Sequence, residues 1–286
     1  MKLAFAFVLV GVARAAGLPA GVTAAQLAPC NAGPLDKLTI EPVGKSGAAT
    51  VLHAVAPGGD RALLFLHPDG ENAATSAGRR CERFPIGRAL DRAHGRFLVG
   101  GGELKAYAIA PAGDACTGDY CPLVVVLRGA DERPLAALRT RETCDAGATL
   151  HAVKLFPDRD SLEVACRTAS GAGWSERRFL VDAAIARGEW IALFAVDTGS
   201  HQSLSPDEKA AGQCAPDPVG WIKVERIDAR PVLRALDPTN ADLTDGRGTV
   251  PARAFVFDPA KRAFVPSPAP PVPTQVDAFA ACRSKR

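Results

Sequence analysis

"LHAVAPGGDRALLFL" (residues 52–66) decides how this chain folds. It reads Leu-x-Ala, an apolar residue, a turn carrying Asp60, then a second apolar run. Two later segments repeat the pattern: "LKAYAIAPAGDACTGDYCPLVVVL" from Leu104 and "LHAVKLFPDRDSLEV" from Leu150. Spacings of roughly fifty residues suit repeated antiparallel meanders. Short runs rich in Val, Leu, Ile and Phe, bounded by Gly, Pro and Asp, fill the rest of the chain. Among them are "RFLVGGG" (96–102), "WIALFAV" (190–196), "WIKVERI" (221–227) and "ARAFVFDP" (252–259). The best helical candidates, "IGRALDRA" (86–93) and "SPDEKAAGQ" (205–213), span only one or two turns, and helices that short need packing to persist. The expected fold class is all-β: repeated antiparallel meanders, β-propeller-like or a β-sandwich, stapled by disulfides.

Composition places the chain among globular proteins. Of 286 residues, 47% are hydrophobic and 23% charged, too apolar for disorder. The net charge of +3, from 34 basic and 31 acidic residues with no basic cluster, is not a nucleic-acid footprint. The N-terminal "MKLAFAFVLVGVARA" pairs Lys2 with an apolar run and closes on Ala13-Arg14-Ala15. That is the layout of a secretory signal peptide, too short to span a bilayer. No later segment approaches membrane-spanning length. The expected organisation is a signal peptide over 1–15, a β-repeat domain over 16–213, and a C-terminal β segment over 214–286. The last carries the proline-rich "PSPAPPVP" (266–273), too stiff and donor-poor for a central strand. The expected location is the periplasm or the cell exterior.

Eight cysteines follow the signal: Cys30, Cys81, Cys116, Cys121, Cys144, Cys166, Cys214 and Cys282. An even count in an exported chain argues for disulfides, and the lack of any Cys-x-x-Cys argues against zinc or redox chemistry. "LAPC" (27–30) loosely echoes a lipidation site, but Pro29 stands where a small residue should precede the cysteine. Strands near 122–128, 135–143, 149–156 and 161–167, taken as one meander, gather Cys121, Cys144 and Cys166 at one edge, with Cys116 just before it. Strands two apart lie about 9.5 Å distant, beyond ordinary disulfide reach. Cys121 with Cys144 is therefore preferred over Cys144 with Cys166. Cys30 with Cys81 and Cys214 with Cys282 remain.

Two segments carry family resemblances. "GRFLVGGGELKAYAIAPAGD" (95–114) resembles quinoprotein-like β-propeller repeats, without the tryptophan that docks those blades; the resemblance implies a propeller and gives no support to a bound quinone. "ERRFLVDAAIARGEWIALFAVDTGSHQSLSP" (176–206) resembles the opening of a retropepsin-like aspartic peptidase: a hairpin, then an apolar strand into Asp197-Thr198-Gly199. The resemblance implies that Asp197 is a catalytic aspartate sharing a proton with a second one. The chain holds no second Asp-Thr-Gly or Asp-Ser-Gly, so a homodimer would have to supply the partner. The family's later apolar-apolar-Gly element also has no counterpart after residue 199. From the residues themselves, Asp197 closes a turn after a strand buried on both faces.

Other chemistry is thinly represented. "GKS" (44–46) lacks the glycine a phosphate loop needs and runs into a strand pattern. His53, His67, His94, His151 and His201 show no metal spacing on a helix. His53 and His151 occupy matching places in two of the echoing segments, as a repeated structural position would. "LDPTNADLTDG" (236–246) places Asp237, Asn240, Asp242 and Asp245 in one oxygen-rich loop, a weak calcium candidate without EF-hand spacing. The expected function is a non-catalytic binding or scaffold role towards an unknown extracellular or periplasmic ligand, with no cofactor. The alternatives are a homodimeric aspartic peptidase using Asp197 and a calcium-dependent adhesion or carbohydrate-binding module.

Overall fold

A computed structural model of the chain describes residues 18–30, 37–46, 48–68, 81–86, 89–109, 122–129, 133–170, 173–184, 189–202, 207, 220–227, 230–238 and 247–280. The protein is all-β and antiparallel. Its strands fall into four successive meanders. The first sheet holds β1 (Thr39–Ser46), β2 (Ala49–Val55), β3 (Arg61–Leu66) and β4 (Cys81–Pro85). The second holds β5 (Ala89–Gly95), β6 (Leu104–Ile109), β7 (Pro122–Arg128) and β8 (Pro134–Thr143). The third holds β9 (Gly147–Val153), β10 (Ser161–Ser170), β11 (Gly173–Ala184) and β12 (Glu189–Gln202). The fourth holds β13 (Trp221–Ile227), β14 (Arg230–Leu236), β15 (Arg247–Asp258) and β16 (Ala263–Pro266), with β17 (Val272–Asp277) also paired to β15.

The sheets stack face to face, because alternate residues of one strand enter different cores. On β7, Leu123, Val125 and Leu127 pack with Leu162, Val164 and Phe179 of the third sheet. The intervening Val124 and Val126 pack with Val51, Leu63 and Phe65 of the first sheet. On the far side of the third sheet, Leu180 and Leu193 meet Leu233 and Phe264 of the fourth. The outer face of the first sheet, carrying Leu52, Leu64 and Leu66, is covered by the N-terminal segment through Leu27 and Cys30. That segment forms a short helix, α1 (Ala24–Leu27), opened by a capping box. Gln26 N donates to Thr23 Oγ1 at 3.3 Å and Thr23 N to Gln26 Oε1 at 2.8 Å. Cys30 is bonded to Cys81, tying the cap to β4.

Several sequence expectations change here. "IGRALDRA" is not a helix: residues 89–95 form β5, paired to β6 from Ala89↔Ile109 to Gly95↔Leu104. "RFLVGGG" is not a strand but the link between those two. Gly100 takes φ 66°, and Gly101 N donates to Leu98 O at 3.1 Å, a geometry that favours glycine. "SPDEKAAGQ" lies outside the described residues apart from Asp207. The three echoing segments are hairpins in two phases. The first two are second and third strands of their sheets, whereas the segment from Leu150 is a first and second strand. In the third sheet His151 is exposed, whereas His53 in the first is buried, so the two histidines do not share an environment.

The disulfide expectation also needs correcting. Cys144 is bonded to Cys166, with Cα atoms 5.1 Å apart, not to Cys121. The chain leaves the second sheet between β8 and β9, so Cys166 lies on a facing sheet and the in-plane spacing does not apply. Cys116, Cys121, Cys214 and Cys282 lie outside the described residues. Strands β16 and β17 follow β15 in one direction, with registers ending at Phe255↔Pro266 and resuming at Ala252↔Val272. Residues 267–271 therefore arch out of an interrupted edge strand, where prolines are tolerated. Among the described residues no helix is long and apolar enough to cross a membrane.

Leu127, fully buried against the third sheet, is a direct test of the stack. Leu127→Ala should cost about 2–5 kcal/mol in urea unfolding, against less than about 0.5 kcal/mol for Val99→Ala at an exposed site. Replacing Cys144 and Cys166 together by Ala opens a loop of sequence separation 22 and should cost about 3 kcal/mol on the chain-entropy account, read the same way.

Candidate functional site

The fourth sheet ends the stack, and its outer face has no further sheet on it among the described residues. Strand alternation sorts that face. Leu233, Phe255 and Phe257 turn inward to the third sheet. Residues one step away, Val232, Arg234, Ala254 and Val256, turn outward, with Val232 opposite Val256 and Arg234 opposite Ala254. One end of this face is closed by Trp221, Leu236, Val250, Ala252 and Val276. The other end opens into a groove of about 940 Å³. Val232, Ala254 and Val256 form its floor, and Ile227 and Arg230 stand at the β13–β14 end. The proline-rich arch supplies the opposite wall through Ser267 and Ala269. Ser267 N donates to Ala254 O at 2.9 Å, which pins the arch beside the floor.

The groove's charge comes from β14. Arg234 Nε donates to Glu225 Oε2 at 2.8 Å, a cross-strand pair between β13 and β14. Its Nη1 is buried without an acceptor. Arg230 is exposed and has no ion-pair partner among the described residues. No carboxylate lines the groove among those residues. The sequence signal was available in "RPVLRAL" (230–236): period two places Arg230, Val232 and Arg234 on one face. It was missed because nothing in the sequence marks this face as uncovered. A smaller groove of about 310 Å³ lies beside Lys105 and Arg128 on the second sheet, where His94 Nδ1 stands 3.4 Å from Glu103 Oε1.

Asp197 does not close a turn. Strand β12 continues through it to Gln202 at the edge of the third sheet, so the strand is not central. Two register breaks bend it. Leu180↔Phe194 is followed by Val181↔Ala192, and Glu176↔Gly199 by Arg177↔Asp197, leaving Leu193 and Thr198 as bulge residues. The first bulge places Leu193 and Phe194 together in the core shared with the fourth sheet. The second leaves Asp197 with its side chain 64% exposed, 3.9 Å from Arg177 Nε. Asp197 lines neither groove.

Thr198 points the other way and is fully buried. Its Oγ1 donates to Glu176 Oε1 at 3.1 Å. Glu176 also accepts from Arg167 Nε and Arg178 Nε, each at 2.9 Å, and Arg178 reaches Glu163 Oε1 at 3.0 Å. Burial pushes the Glu176 carboxyl up, but the hydrogen bonds and charges of Arg167 and Arg178 outweigh it and hold the group below its ordinary range. Thr198 O accepts from Gly220 N, at the entry to β13. A side chain at Gly220 would meet Thr198 Cα at 2.7 Å, so only glycine fits this crossing between sheets. The Asp-Thr-Gly segment thus joins the third sheet to the fourth.

A second buried polar group lies between the first two sheets. His53 has neither ring nitrogen hydrogen-bonded, and its Nδ1 is 3.9 Å from Glu41 Oε2, which is itself held by Arg133 Nε at 3.2 Å. Burial lowers the imidazole pKa from its ordinary 6.5. Glu41 opposes the shift, while Arg61, Arg128 and Arg133 add to it. Nearby, Glu82 accepts from Arg139 Nη2 at 3.0 Å, a buried pair across the same interface. Among the calcium candidates Asp237 is half-buried, and Asn240, Asp242 and Asp245 lie outside the described residues. No group of three or more metal-ligating side chains occurs among the described residues. No protein-family model, curated protein or solved structure matches this chain.

Two pH effects follow from the shifted groups. His53 binds a proton less readily folded than unfolded. Its contribution is intact above about pH 6.5 and is lost as pH falls through the lowered folded value. His53→Leu should flatten the decline in urea midpoint between pH 7.5 and pH 5. Glu176 contributes stability above its unfolded value and loses it as pH falls through its lower folded value. Glu176→Ala leaves Arg178 buried without its main partner and should cost about 3–5 kcal/mol at pH 7.

Proposed function

We propose that the protein is an exported, non-catalytic binding protein whose ligand site is the groove on the outer face of the fourth sheet. The observation that carries this reading is the groove itself: about 940 Å³ with an apolar floor of Val232, Ala254 and Val256. Sites for small molecules fall in the range of about 300–1,000 Å³ and combine apolar walls with a few polar groups. Ile227, 49% exposed at the rim, extends the apolar surface outward. The disulfides support an oxidising, non-cytoplasmic compartment. The signal-like N-terminus supports export to the periplasm or beyond, although residues 1–17 lie outside the described residues.

The test uses a neutral apolar dye, Nile red, whose emission rises on leaving water. The full chain should take it up saturably. Ala254→Leu, which fills the floor, and Ile227→Asp, which charges the exposed rim, should each weaken uptake about tenfold, with thermal melting of Ile227→Asp unchanged. Uptake that neither variant alters would overturn the reading.

A further inference from the structure

We infer that the groove takes an amphipathic oxyanion: an apolar body lying on Val232, Ala254 and Val256, with a carboxylate or phosphate head held at Arg230. The inference rests on the groove being the binding site and names the chemistry it selects. Three observations carry it. First, the groove has two ends of different character. Arg230, Val232 and Arg234 alternate along one face of β14, so the cation at its start stands one pleat from apolar floor. Second, the charge is one-sided. Two guanidinium groups line the groove, and no carboxylate does so among the described residues. Third, the two arginines are committed to different degrees. Arg234 is 19% exposed and spends its Nε on Glu225 Oε2 at 2.8 Å. Arg230 is exposed and holds no carboxylate among the described residues, so its planar fork of donors remains for a ligand.

Electrostatics then set the sign of the preferred head group. An oxyanion brought to Arg230 makes charge-assisted, often bidentate hydrogen bonds, which are the strong kind. An ammonium head would meet Arg230 with no acid among the described lining residues to offset it, Arg234 being already paired with Glu225. An uncharged alcohol would gain the apolar contact alone. The remaining polar wall group, Ser267 Oγ, accepts from Ala269 N at 3.2 Å within the arch and keeps its own O–H to donate, so it can add a neutral hydrogen bond while the charge at the head group comes from Arg230.

The test is competition against bound Nile red, with dodecanoate, dodecyl phosphate, dodecanol and dodecyltrimethylammonium, each below its micelle concentration. The chain length is common, so only the head differs. Dodecanoate or dodecyl phosphate should displace the dye at concentrations at least about tenfold lower than dodecanol, and dodecyltrimethylammonium should be weakest. The order of the first two distinguishes a carboxylate from a phosphate head. Arg230→Gln should remove the advantage of the anions while leaving dodecanol unchanged, and Arg230→Lys should restore part of it. If all four compete alike, or Arg230→Gln changes nothing, the head-group inference falls while the groove remains a binding site. If Nile red is not taken up at all, both fall together.

Discussion

The structure depends on strands that are apolar on both sides. A sheet in the middle of a stack must present a hydrophobic face to each neighbour, so its strands lose the alternation of apolar and polar residues that marks a half-exposed sheet. Strand β7 meets this requirement without interruption from Leu123 to Leu127, all within 1% of full burial. Odd-numbered residues enter the core shared with the third sheet, and even-numbered ones enter the core shared with the first. The same division on β2, β3 and β11 propagates the layers outward. Each internal interface is then a largely apolar core in which one buried leucine contributes about 1.5–3 kcal/mol, and the disulfide between Cys144 and Cys166 clamps the second sheet to the third.

Where this rule is broken inside the stack, a compensating charge is built in. Glu176 and Arg178 sit on the face of the third sheet turned towards the fourth, beyond the end of the leucine and phenylalanine cluster. Their cost of desolvation is offset by Arg167, Glu163 and Thr198. Glu82 and Arg139 do the same between the first and second sheets. His53 is buried with neither ring nitrogen hydrogen-bonded among the described residues, a condition that favours the neutral imidazole, and Ser161 Oγ is buried unpartnered as well. Glu82 and Arg139 thus tie the first sheet to the second, whereas the Glu176 network ties β10, β11 and β12 within the third.

The strands were legible in the sequence; the divisions between sheets were not. Apolar runs bounded by Gly, Pro and Asp located β7, β8, β9 and β10 closely. Yet a turn within a sheet and a turn from one sheet to the next use the same residues. The link from β8 to β9 therefore read as one more hairpin, and the disulfide expectation failed with it. Strand β5 was hidden because "ALDRAHG" carries no apolar run: only Ala93 of its residues is buried, and β6 supplies the pairing that extends it. Asp197-Thr198-Gly199 read as a turn because these residues favour turns. A bulge asks for a similar local departure from regular extension, and neighbouring strand β11 decides between the two.

The groove was illegible for a related reason, which also explains its position. Patterning tells which residues share a face but not which face remains uncovered. Both ends of a stack carry an outer face that needs cover. The first sheet receives it from the N-terminal segment, through Leu27 and Cys30. The fourth sheet is closed at one end by Trp221, Leu236 and the β17 pairing, and at the other end, among the described residues, by an arch of residues 267–271. That arch exists because β16 and β17 accompany one strand with more residues than the strand has between their registers. The surplus rises out of the sheet, and its prolines, which lack N–H groups, resist being drawn back into a ladder. Residues that line the groove are thus drawn mostly from the outer face of the last layer, with Phe257 shared between the groove and the core against the third sheet. Evolutionary change in its shape or charge can proceed there without disturbing the packing on which the rest of the molecule stands, which is the condition a binding surface on a rigid scaffold requires.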